Sequence, residues 1–329
     1  MARSASCSQN GQKLNSKLKL KIMKYLKSLA ATLLIIPTLM FTSCDDDNSN
    51  ELDGTGTARL EATDAAVDAE NITGVFLSVD EAQFMANGQI QNSIMFESPK
   101  EFNLMDYQNG ETYILGETEL EAGAYDEIRL ILTSSNQAYV KYLNGSTDEI
   151  NVPSGSTSGY KIMGDFEIMA NGMTELVLDV DLRKALVKRG NGEFNLRPTA
   201  RLITKSATGM IQGTVDEDNM DDADKVVVYA YLEGTFEDSE MDEPTDGNSR
   251  FENSVNSAVA DASGNFTLAF MPEGDYELIV ASYKRDQLLG GELKFESATQ
   301  VQVSIDGETT SVVEVEAKVV TNLLINLFQ

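Results

Sequence analysis

Leu176-Val177-Leu178-Asp179-Val180-Asp181-Leu182-Arg183 is the stretch of sequence that decides the fold. Apolar side chains occupy every second position from Leu176 to Leu182, and the positions between them become charged towards the end. Successive side chains of a β-strand point to opposite faces, so this pattern predicts a strand with one face on a core and one polar face. A helix would instead space its apolar residues three and four apart.

The same period of two recurs from Thr57 onwards, at Val75, Leu77 and Val79 and again at Ile128, Leu130 and Leu132. Two Asn-Gly pairs, at 144–145 and 171–172, lie between such runs and predict tight hairpins, because Asn-Gly readily adopts positive φ angles. A short helix is predicted only over 181–187, ended by the glycines at 190 and 192. Residues 57–205 are therefore predicted to form an antiparallel β-domain.

A second β-unit is predicted over residues 206–318. Its apolar run at 226–232 is followed by an acidic loop at 233–249, and residues 261–265 predict a tight turn. Pro272 and Gly274 predict a further turn that returns the following alternating residues, Tyr276, Leu278 and Val280, to the core. About seven short strands over such a length favour a β-sandwich.

The predicted fold class is therefore all-β, with two antiparallel β-sandwich-like domains in tandem. Residues 319–329 are interpreted as an apolar C-terminal tail. The tail is either a last strand or a segment that docks elsewhere.

Three motifs of the second unit are shared with a known family: Gly-x-Val at 213–215, Asp-x-x-Gly-x-Phe at 261–266 and Pro-x-Gly-x-Tyr-x-Leu at 272–278. On these motifs the unit resembles the carboxypeptidase-regulatory-like, or transthyretin-like, β-sandwich family. The resemblance implies a non-catalytic accessory or spacer module, sometimes joined to carbohydrate-handling proteins. It supplies no catalytic residues.

Five ordered blocks of the first unit also match a family. They are Thr63-Asp64-Ala65 with 75–79, Leu120-x-Ala-Gly-x-Tyr-x-x-Ile-Arg-Leu ending at 130, and the blocks at 158–162, 178–181 and 194–198. On these blocks the unit resembles a bacterial lipoprotein family described only as domain of unknown function 4382. Ala66 stands where that family offers proline. The resemblance implies a β-rich fold and an envelope setting, with no known ligand.

Residues 1–43 predict a cleaved signal peptide, with Met23 as an alternative translation start. Lysines at 24 and 27 precede an apolar run over 29–41, and small residues precede Cys44. The run is too short to span a bilayer, which needs about 20 apolar residues. The arrangement resembles a bacterial lipobox, in which Cys44 carries fatty acyl chains such as palmitate and becomes the first mature residue. The implied location is the outer membrane, with lipid anchoring.

Residues 44–56 predict an acylated cysteine followed by a flexible acidic tether. Asp45, Asp46 and Asp47 resemble the export signal that sends some lipoproteins to the cell surface. Retention on the periplasmic face is the alternative. Cys7 is removed with the signal peptide and Cys44 is acylated, so no disulfide is predicted in the mature chain.

The charge of the mature chain excludes nucleic acid as a partner. Seven of the 25 Lys and Arg residues precede Cys44, which leaves 18 against 53 acidic residues, a formal charge of −35. Such a surface repels the phosphates that nucleic-acid-binding proteins must neutralise. It also repels anionic head groups, so the predicted membrane contact is through the acyl chains.

The chemistry available to the chain argues against an enzyme. It has no histidine, which removes the common triads, the usual general base near neutral pH and the common zinc sites. Acid-pair chemistry of the glycosidase type stays open in principle, but 53 acidic residues allow any pair to be nominated. We therefore predict no enzyme activity, no catalytic residues and no cofactor.

Calcium is a minority hypothesis, because hard oxygen ligands in a flexible loop suit this ion. The candidate ligands crowd one loop: Asp216, Asp218, Asp221, Asp222 and Asp224. A second acidic group lies at Glu237, Asp238, Glu240, Asp242 and Glu243. Neither group has EF-hand spacing, and a solvated acidic loop explains both.

Two polar pairs, Arg129 with Tyr125 and Asp179 with Asp181, are either ligand-pocket residues or structural residues beside strands. The predicted function is a non-enzymatic binding, adhesion or accessory protein of the cell envelope, with a glycan or protein ligand. One alternative is a subunit of a pilus-like surface assembly, in which the tail at 319–328 completes a neighbour's sheet by strand addition. The other is a carbohydrate-binding accessory protein.

Overall fold

The computed structural model describes residues 54–326, apart from 66–71, 135–136, 191, 217–222, 245–248 and 287–291. The predicted signal peptide, Cys44 and Asp45–Asp47 lie outside the described residues. The chain is all-β, as predicted, and it forms two tandem sandwiches.

The described residues of the first sandwich form twelve strands and one short helix, and its two sheets enclose a single core. The helix is α1 (Leu182–Ala185), capped by the side chain of Asp181 in agreement with the predicted short helix. The strands are β1 (Thr55–Ala65), β2 (Ile72–Ala86), β3 (Gln89–Asn103), β4 (Tyr113–Glu121), β5 (Gly123–Leu132), β6 (Ala138–Tyr142), β7 (Thr147–Asn151), β8 (Tyr160–Ile168), β9 (Met173–Asp181), β10 (Leu186–Lys188), β11 (Phe194–Leu196) and β12 (Arg201–Thr204).

One sheet has the strand order β12-β9-β1-β4, and the other has β10-β11-β7-β6-β2-β5-β8, with β3 on the remaining edge of β2. Most strand pairs are antiparallel, as predicted, and two pairs of the first sandwich are parallel. Strand β1 pairs parallel with β9 over nine positions, and β7 pairs parallel with β11. A parallel pair requires a long crossover, and here strands of the opposite sheet supply it.

The predicted hairpin at Asn144-Gly145 is confirmed, since it joins the antiparallel pair β6 and β7. The predicted hairpin at Asn171-Gly172 is wrong. Its flanking strands β8 and β9 belong to different sheets, and the Asn171 amide donates instead to the carbonyl of Thr55. A third Asn-Gly pair, at 87–88, was not among the predicted hairpins; it has φ values of 52° and 73° and turns β2 into β3.

A 3-10 turn at Lys205–Ala207 leads into the second sandwich, whose sheet orders are β16-β13-β22-β19-β20 and β15-β14-β17-β18, with β21 on β17. Further 3-10 turns lie at Leu104–Asp106 and Asp238–Met241. The strands are β13 (Thr208–Val215), β14 (Lys225–Leu232), β15 (Asn256–Val259), β16 (Asn265–Pro272), β17 (Gly274–Asp286), β18 (Glu292–Gln300), β19 (Gln302–Ile305), β20 (Glu308–Thr310), β21 (Val313–Val315) and β22 (Val320–Asn326).

The apolar tail is part of this sandwich. Strand β22 pairs parallel with β13 on one edge and antiparallel with β19 on the other. Ile325 is fully buried in the core between the sheets. Of the two alternatives predicted for the tail, a last strand and a segment that docks elsewhere, the structure shows a strand at Val320–Asn326 that pairs within its own sheet.

The apolar run 226–232 contributes to two separate cores. Val226, Val228 and Ala230 face the core between the sheets, whereas Val227, Tyr229 and Tyr231 lie in a second apolar cluster on the opposite face. Residues of the 233–255 segment, among them Phe251, cover that second cluster. A strand that is buried on both faces is apolar throughout, which explains why this run does not alternate.

Both sandwiches use the same tyrosine-stabilised corner. In the first, the hydroxyl of Tyr125 donates to the carbonyl of Glu121 at 3.0 Å across Gly123, whose φ is 146°. In the second, the hydroxyl of Tyr276 donates to the carbonyl of Pro272 at 2.9 Å across Gly274, whose φ is 152°. The predicted turn at Pro272 and Gly274 is confirmed, and Tyr276, Leu278 and Val280 are buried beyond it.

Candidate functional site

The outer face of strand β9 is buried although it is acidic. Asp179 is 2% exposed and Asp181 is 7% exposed, while the alternating Leu176, Leu178 and Val180 fill the core on the other face. The prediction that one face of this strand packs on a core is thus confirmed. The polar face of the strand does not face water, because the second sandwich contacts this end of the sheet.

Arg183 connects the two sandwiches. Its side chain is fully buried and forms two hydrogen bonds to Asp181, at 3.0 and 2.7 Å. Beyond that carboxylate it donates to the hydroxyl of Ser254 at 3.0 Å and to the carbonyl of Phe251 at 3.3 Å. Its guanidinium lies 5.1 Å from the ring centroid of Tyr229, so the second sandwich surrounds a cation that belongs to the first.

Phe251 is held in an unusual backbone conformation at this contact. Its φ is +57°, a left-handed value that a bulky residue adopts only under tertiary constraint, and its side chain is fully buried. The conformation leaves its carbonyl to accept hydrogen bonds from both Arg183 and the hydroxyl of Ser254. The strained backbone of Phe251 therefore directs its carbonyl oxygen towards the guanidinium of Arg183.

Three buried carboxylates on the same face bind four cations of the chain, and we call these seven residues the ionic layer. Lys205 binds Glu61 at 2.6 Å, Arg201 binds Asp179, and Arg183 and Lys184 bind Asp181. Each carboxylate side chain is at most 9% exposed. Lys184 also donates to the carbonyl of Ser254 at 2.8 Å. The members are Glu61, Asp179, Asp181, Arg183, Lys184, Arg201 and Lys205.

Burial and pairing act in opposite directions on the acids here. Burial raises the pKa of Asp64 well above its usual range, and hydrogen bonds from Gln108 and from the amide of Leu182 only partly offset this. Burial alone would also raise the pKa of Asp181. The charges and hydrogen bonds of Arg183 and Lys184 outweigh that effect and hold the pKa of Asp181 below its usual range.

The two polar pairs nominated from the sequence differ in the structure. Asp179 and Asp181 are both in the ionic layer, where their carboxylates bind cations of the chain. Arg129 and Tyr125 do not form a pair. Arg129 binds Glu127 at 2.9 and 2.8 Å. The side chain of Tyr125 packs in the core, and its hydroxyl forms the corner hydrogen bond to Glu121.

The calcium candidates are not assembled into a site in the described part of the chain. Asp218, Asp221 and Asp222 lie outside the described residues, and one oxygen of Asp224 accepts the amide of Arg285 at 2.7 Å. In the second acidic group, Glu240 binds the hydroxyl of Tyr231 at 2.8 Å and the amide of Asn253. Among the described residues no three His, Cys, Asp or Glu side chains converge as metal ligands would.

A cleft of about 260 Å³ lies between the two sandwiches. Its polar lining residues are Thr73, Asp224, Lys225 and Arg285. Its apolar lining residues are Ile72, Met105 and Leu143 from the first sandwich and Val259 and Leu293 from the second. Both sandwiches therefore supply walls of this cleft.

Sequence reasoning missed both the cleft and the interdomain role of Arg183. The residues that meet Arg183 lie 68 and 71 positions further along the chain. One available signal was the Arg183-Lys184 pair placed directly after an acidic strand.

Fold and junction together define a class: a tandem β-sandwich protein whose domains meet through a buried ionic layer. Residues 55–198 match a family described as "Domain of unknown function (DUF4382)", which confirms the resemblance found for the first unit. The carboxypeptidase-regulatory-like resemblance of the second unit stays a prediction. No curated protein matches the chain significantly. No helix within the described ranges is long and apolar enough to cross a bilayer.

Several solved structures are similar in fold, all at low identity. The Bacillus anthracis TIE protein is 13% identical with a TM-score of 0.19, and the match covers 82% of this chain and 34% of that protein. The chain therefore spans about a third of the TIE protein. BcpA, the major pilin subunit of Bacillus cereus, is 8% identical with a TM-score of 0.19, covering 83% of this chain and 70% of BcpA.

A Pseudomonas aeruginosa protein described as a candidate carbohydrate-binding protein is 13% identical with a TM-score of 0.21, covering 37% of this chain and 90% of that protein. At these TM-scores the similarities carry no argument about function.

Proposed function

We propose that the chain is a non-enzymatic lipoprotein of the outer membrane, anchored through Cys44 and exposed at the cell surface. There it acts as a binding, adhesion or accessory module. The observation that carries the binding role is the burial of Arg183 inside the second sandwich. This contact holds the two sandwiches together beside a cleft that both of them line.

The energetic reason follows from the cost of burying charge. An ion pair in a protein interior gains little over an apolar pair, but losing one partner leaves an uncompensated charge. The ionic layer therefore penalises any arrangement of the domains that separates Arg183 from its acceptors. Domains joined by a flexible linker usually move relative to one another, whereas a binding cleft between domains needs walls at a fixed distance.

The anchoring is tested by metabolic labelling with a radioactive fatty acid, followed by fractionation of the cells. Wild type and the matched control Cys7→Ser are expected to carry label and to sediment with membranes. Cys44→Ser is expected to do neither. Label on Cys44→Ser would contradict the anchor, and so would wild type that stays unlabelled.

Exposure at the surface has a separate test. Replacing Asp45, Asp46 and Asp47 by alanine keeps the acyl chains but is expected to protect the protein from protease added to intact cells. Equal cleavage of this variant and wild type would contradict the role of the acidic run. Protection of wild type itself would place the protein on the periplasmic face.

The two alternative functions stay predictions. A pilus-like subunit role through strand addition by residues 319–328 requires that β22 (Val320–Asn326) leave β13 and β19, with which it pairs in its own sheet. A carbohydrate-binding role predicts retention of the protein on a polysaccharide array, and a blank array would count against it.

A further inference from the structure

We propose that an aromatic patch on the outer face of the first sandwich binds an arginine side chain of a protein partner. The inference rests on the proposed binding function and names the chemistry of the partner for it. We call this surface the ring patch, and its members are Phe76, Glu101, Tyr139 and Glu149. Its stacked rings, its carboxylates and the arginine contacts found elsewhere in the chain carry the argument.

The two aromatic side chains of the ring patch form one fixed surface. Phe76 on β2 and Tyr139 on β6 are cross-strand partners, and both alternate with core residues, so they point away from the core. Their rings stack with centroids 4.7 Å apart and planes that differ by 5°. A Cβ on Gly74 would lie 2.6 Å from the ring of Phe76, so this ring lies directly over the backbone.

These rings are available to a cation from another molecule. Both Phe76 and Tyr139 are half-buried, so part of each ring contacts solvent. The cation–ring contacts among the described residues involve other aromatic side chains. A cation over such a ring is attracted by the negative charge density of its face.

Two glutamates lie beside the rings. Glu101 accepts a hydrogen bond from the hydroxyl of Tyr139 at 3.4 Å, and Glu149 is the cross-strand partner of Tyr139 on β7. Both glutamates are exposed, and neither takes part in the ion pairs of the described residues. One base, Lys141, follows Tyr139 by two positions on the same strand. Two acids against one base leave the surroundings of the rings net negative, which favours a cationic ligand.

The chain itself shows that this combination of groups binds arginine. The guanidinium of Arg250 lies 4.0 Å from the ring centroid of Phe295 and 3.2 Å from a carboxylate oxygen of Glu243. Arg183 combines the ring of Tyr229 with a buried aspartate in the same way. The ring patch supplies the ring and the carboxylates at the surface, where the guanidinium has to come from a partner.

The geometry of the ring patch favours arginine on a protein over a free small molecule. A guanidinium is planar, so it stacks on a ring and also forms two parallel hydrogen bonds to a carboxylate, whereas an ammonium acts as a point charge. Sites for small molecules are concave and bury most of the ligand. The ring patch lies on an open sheet face, so the surface that excludes water around the bound side chain has to be supplied by the partner.

The test is an NMR titration of the purified protein with the peptide acetyl-Gly-Arg-Gly-Arg-Gly-amide. We expect saturable shifts of the backbone amide signals of Phe76 and Tyr139, with a Kd on the order of 1 mM. The same peptide with citrulline in place of arginine keeps the shape and loses the charge, and we expect it to bind at least about tenfold more weakly. Equal binding of the citrulline peptide, or shifts that do not saturate, would overturn the proposal.

A lysine version of the peptide tests the preference for a guanidinium. It carries the same charge without the planar fork, and we expect it to bind about threefold more weakly than the arginine peptide. Lysine binding as tight as arginine binding would overturn the assignment to arginine.

Variants of Tyr139 test the role of the ring. Tyr139→Leu is expected to weaken binding of the arginine peptide about 3- to 30-fold. Tyr139→Phe keeps the ring and loses the hydroxyl, and it is expected to stay within about twofold of wild type. Urea denaturation shows whether each variant is folded. Wild-type affinity in folded Tyr139→Leu would overturn the proposal.

A matched pair of charge variants separates local binding from the attraction of an acidic chain for any basic peptide. Glu149→Gln is expected to weaken binding about 2- to 5-fold. Glu119→Gln removes the same charge from an exposed position on β4, in the other sheet, and is expected to change binding by less than about 1.5-fold. Equal losses in the two variants would show that binding follows net charge, and the ring patch would be wrong.

A neutral sugar is the other occupant that the rings could stack against. Maltotriose is expected to leave the signals of Phe76 and Tyr139 unchanged, and saturable shifts with this sugar would overturn the choice of a cation. Failure of all these titrations leaves the Cys44 labelling result intact, so the partner chemistry and the envelope role fail separately.

Discussion

Replacing Arg183 by methionine should destabilise the protein far more than its sequence position suggests. The change removes two hydrogen bonds to Asp181 and those to Ser254 and the carbonyl of Phe251. Asp181 retains Lys184 at 3.4 Å, which offsets part of the loss. Removing one partner of a buried pair costs about 3–5 kcal/mol, so the expected loss of unfolding free energy is at the lower end, about 3 kcal/mol.

Arg129→Met is the matched control. Arg129 also binds the carboxylate two residues before it through two hydrogen bonds, but its side chain is 21% exposed and stays within the first sandwich. Water reaches the site of the partly exposed Arg129, although its partner Glu127 is only 7% exposed, so a loss of about 1–2 kcal/mol is expected. Urea denaturation followed by circular dichroism measures both values. Equal losses in the two variants would refute the view that Arg183 joins the domains.

A double-mutant cycle isolates the interdomain part of this energy. Ser254→Ala removes the hydroxyl that Arg183 reaches in the second sandwich. Residues in direct contact show coupling of about 0.5–3 kcal/mol, whereas separated residues add within about 0.5 kcal/mol. We expect coupling of Arg183→Met with Ser254→Ala and additivity of Arg129→Met with Ser254→Ala. Additivity in both cycles would mean that the contact carries no energy.

Three further predictions concern other parts of the fold. Burial raises the pKa of Asp64 above its ordinary 3.8. Between pH 3.8 and this raised pKa, the folded chain keeps a proton on Asp64 that the unfolded chain releases. The free energy of unfolding therefore falls as pH rises through this range. Asp64→Asn removes this loss, and its stability relative to wild type should increase with pH; a constant difference in denaturation midpoints would contradict this. Tyr276→Phe loses the corner hydrogen bond and should cost about 1 kcal/mol by denaturation, and no loss would show that the corner is unimportant. At Gly209 a Cβ would collide with the carbonyl of Glu316, whereas at Gly190 it meets open space. Gly209→Ala should therefore lower the unfolding free energy by about 3 kcal/mol or more and Gly190→Ala by less than about 1 kcal/mol, and equal thermal stability would contradict the packing described.

The sequence was sufficient to predict where strands form, but it was insufficient to predict which strands pair and what their polar faces contact. Alternation identified Leu176, Leu178 and Val180 as core residues, because burial on one face imposes a period of two. It could not show that Asp179 and Asp181 face a second domain, since a polar strand face looks the same beside water and beside a polar interface. The parallel pairing of β1 with β9 was hidden for a similar reason. Pairing depends on how the chain crosses from one strand to the next, and the alternation within a strand contains no information about these connections.

The candidate site was harder to predict than the fold. The ionic layer is built from residues that lie up to 144 positions apart, as in the pair of Lys205 with Glu61. The cleft depends on which faces of two sandwiches meet, which the local pattern of neither sandwich encodes. The left-handed backbone of Phe251 was equally unpredictable, because it is imposed by surroundings that are distant in sequence.

The parallel pairing of β13 with β22 has a mechanical consequence. Six consecutive rungs, from Met210 opposite Val320 to Val215 opposite Ile325, join the first and last strands of the second sandwich. Tension applied at Thr208 and at Asn326 pulls these neighbours lengthwise in opposite directions, so all the rungs bear the load together. A hairpin pulled at its open end would peel apart one rung at a time. The second sandwich is thus arranged to resist stretching along the direction of these two strands.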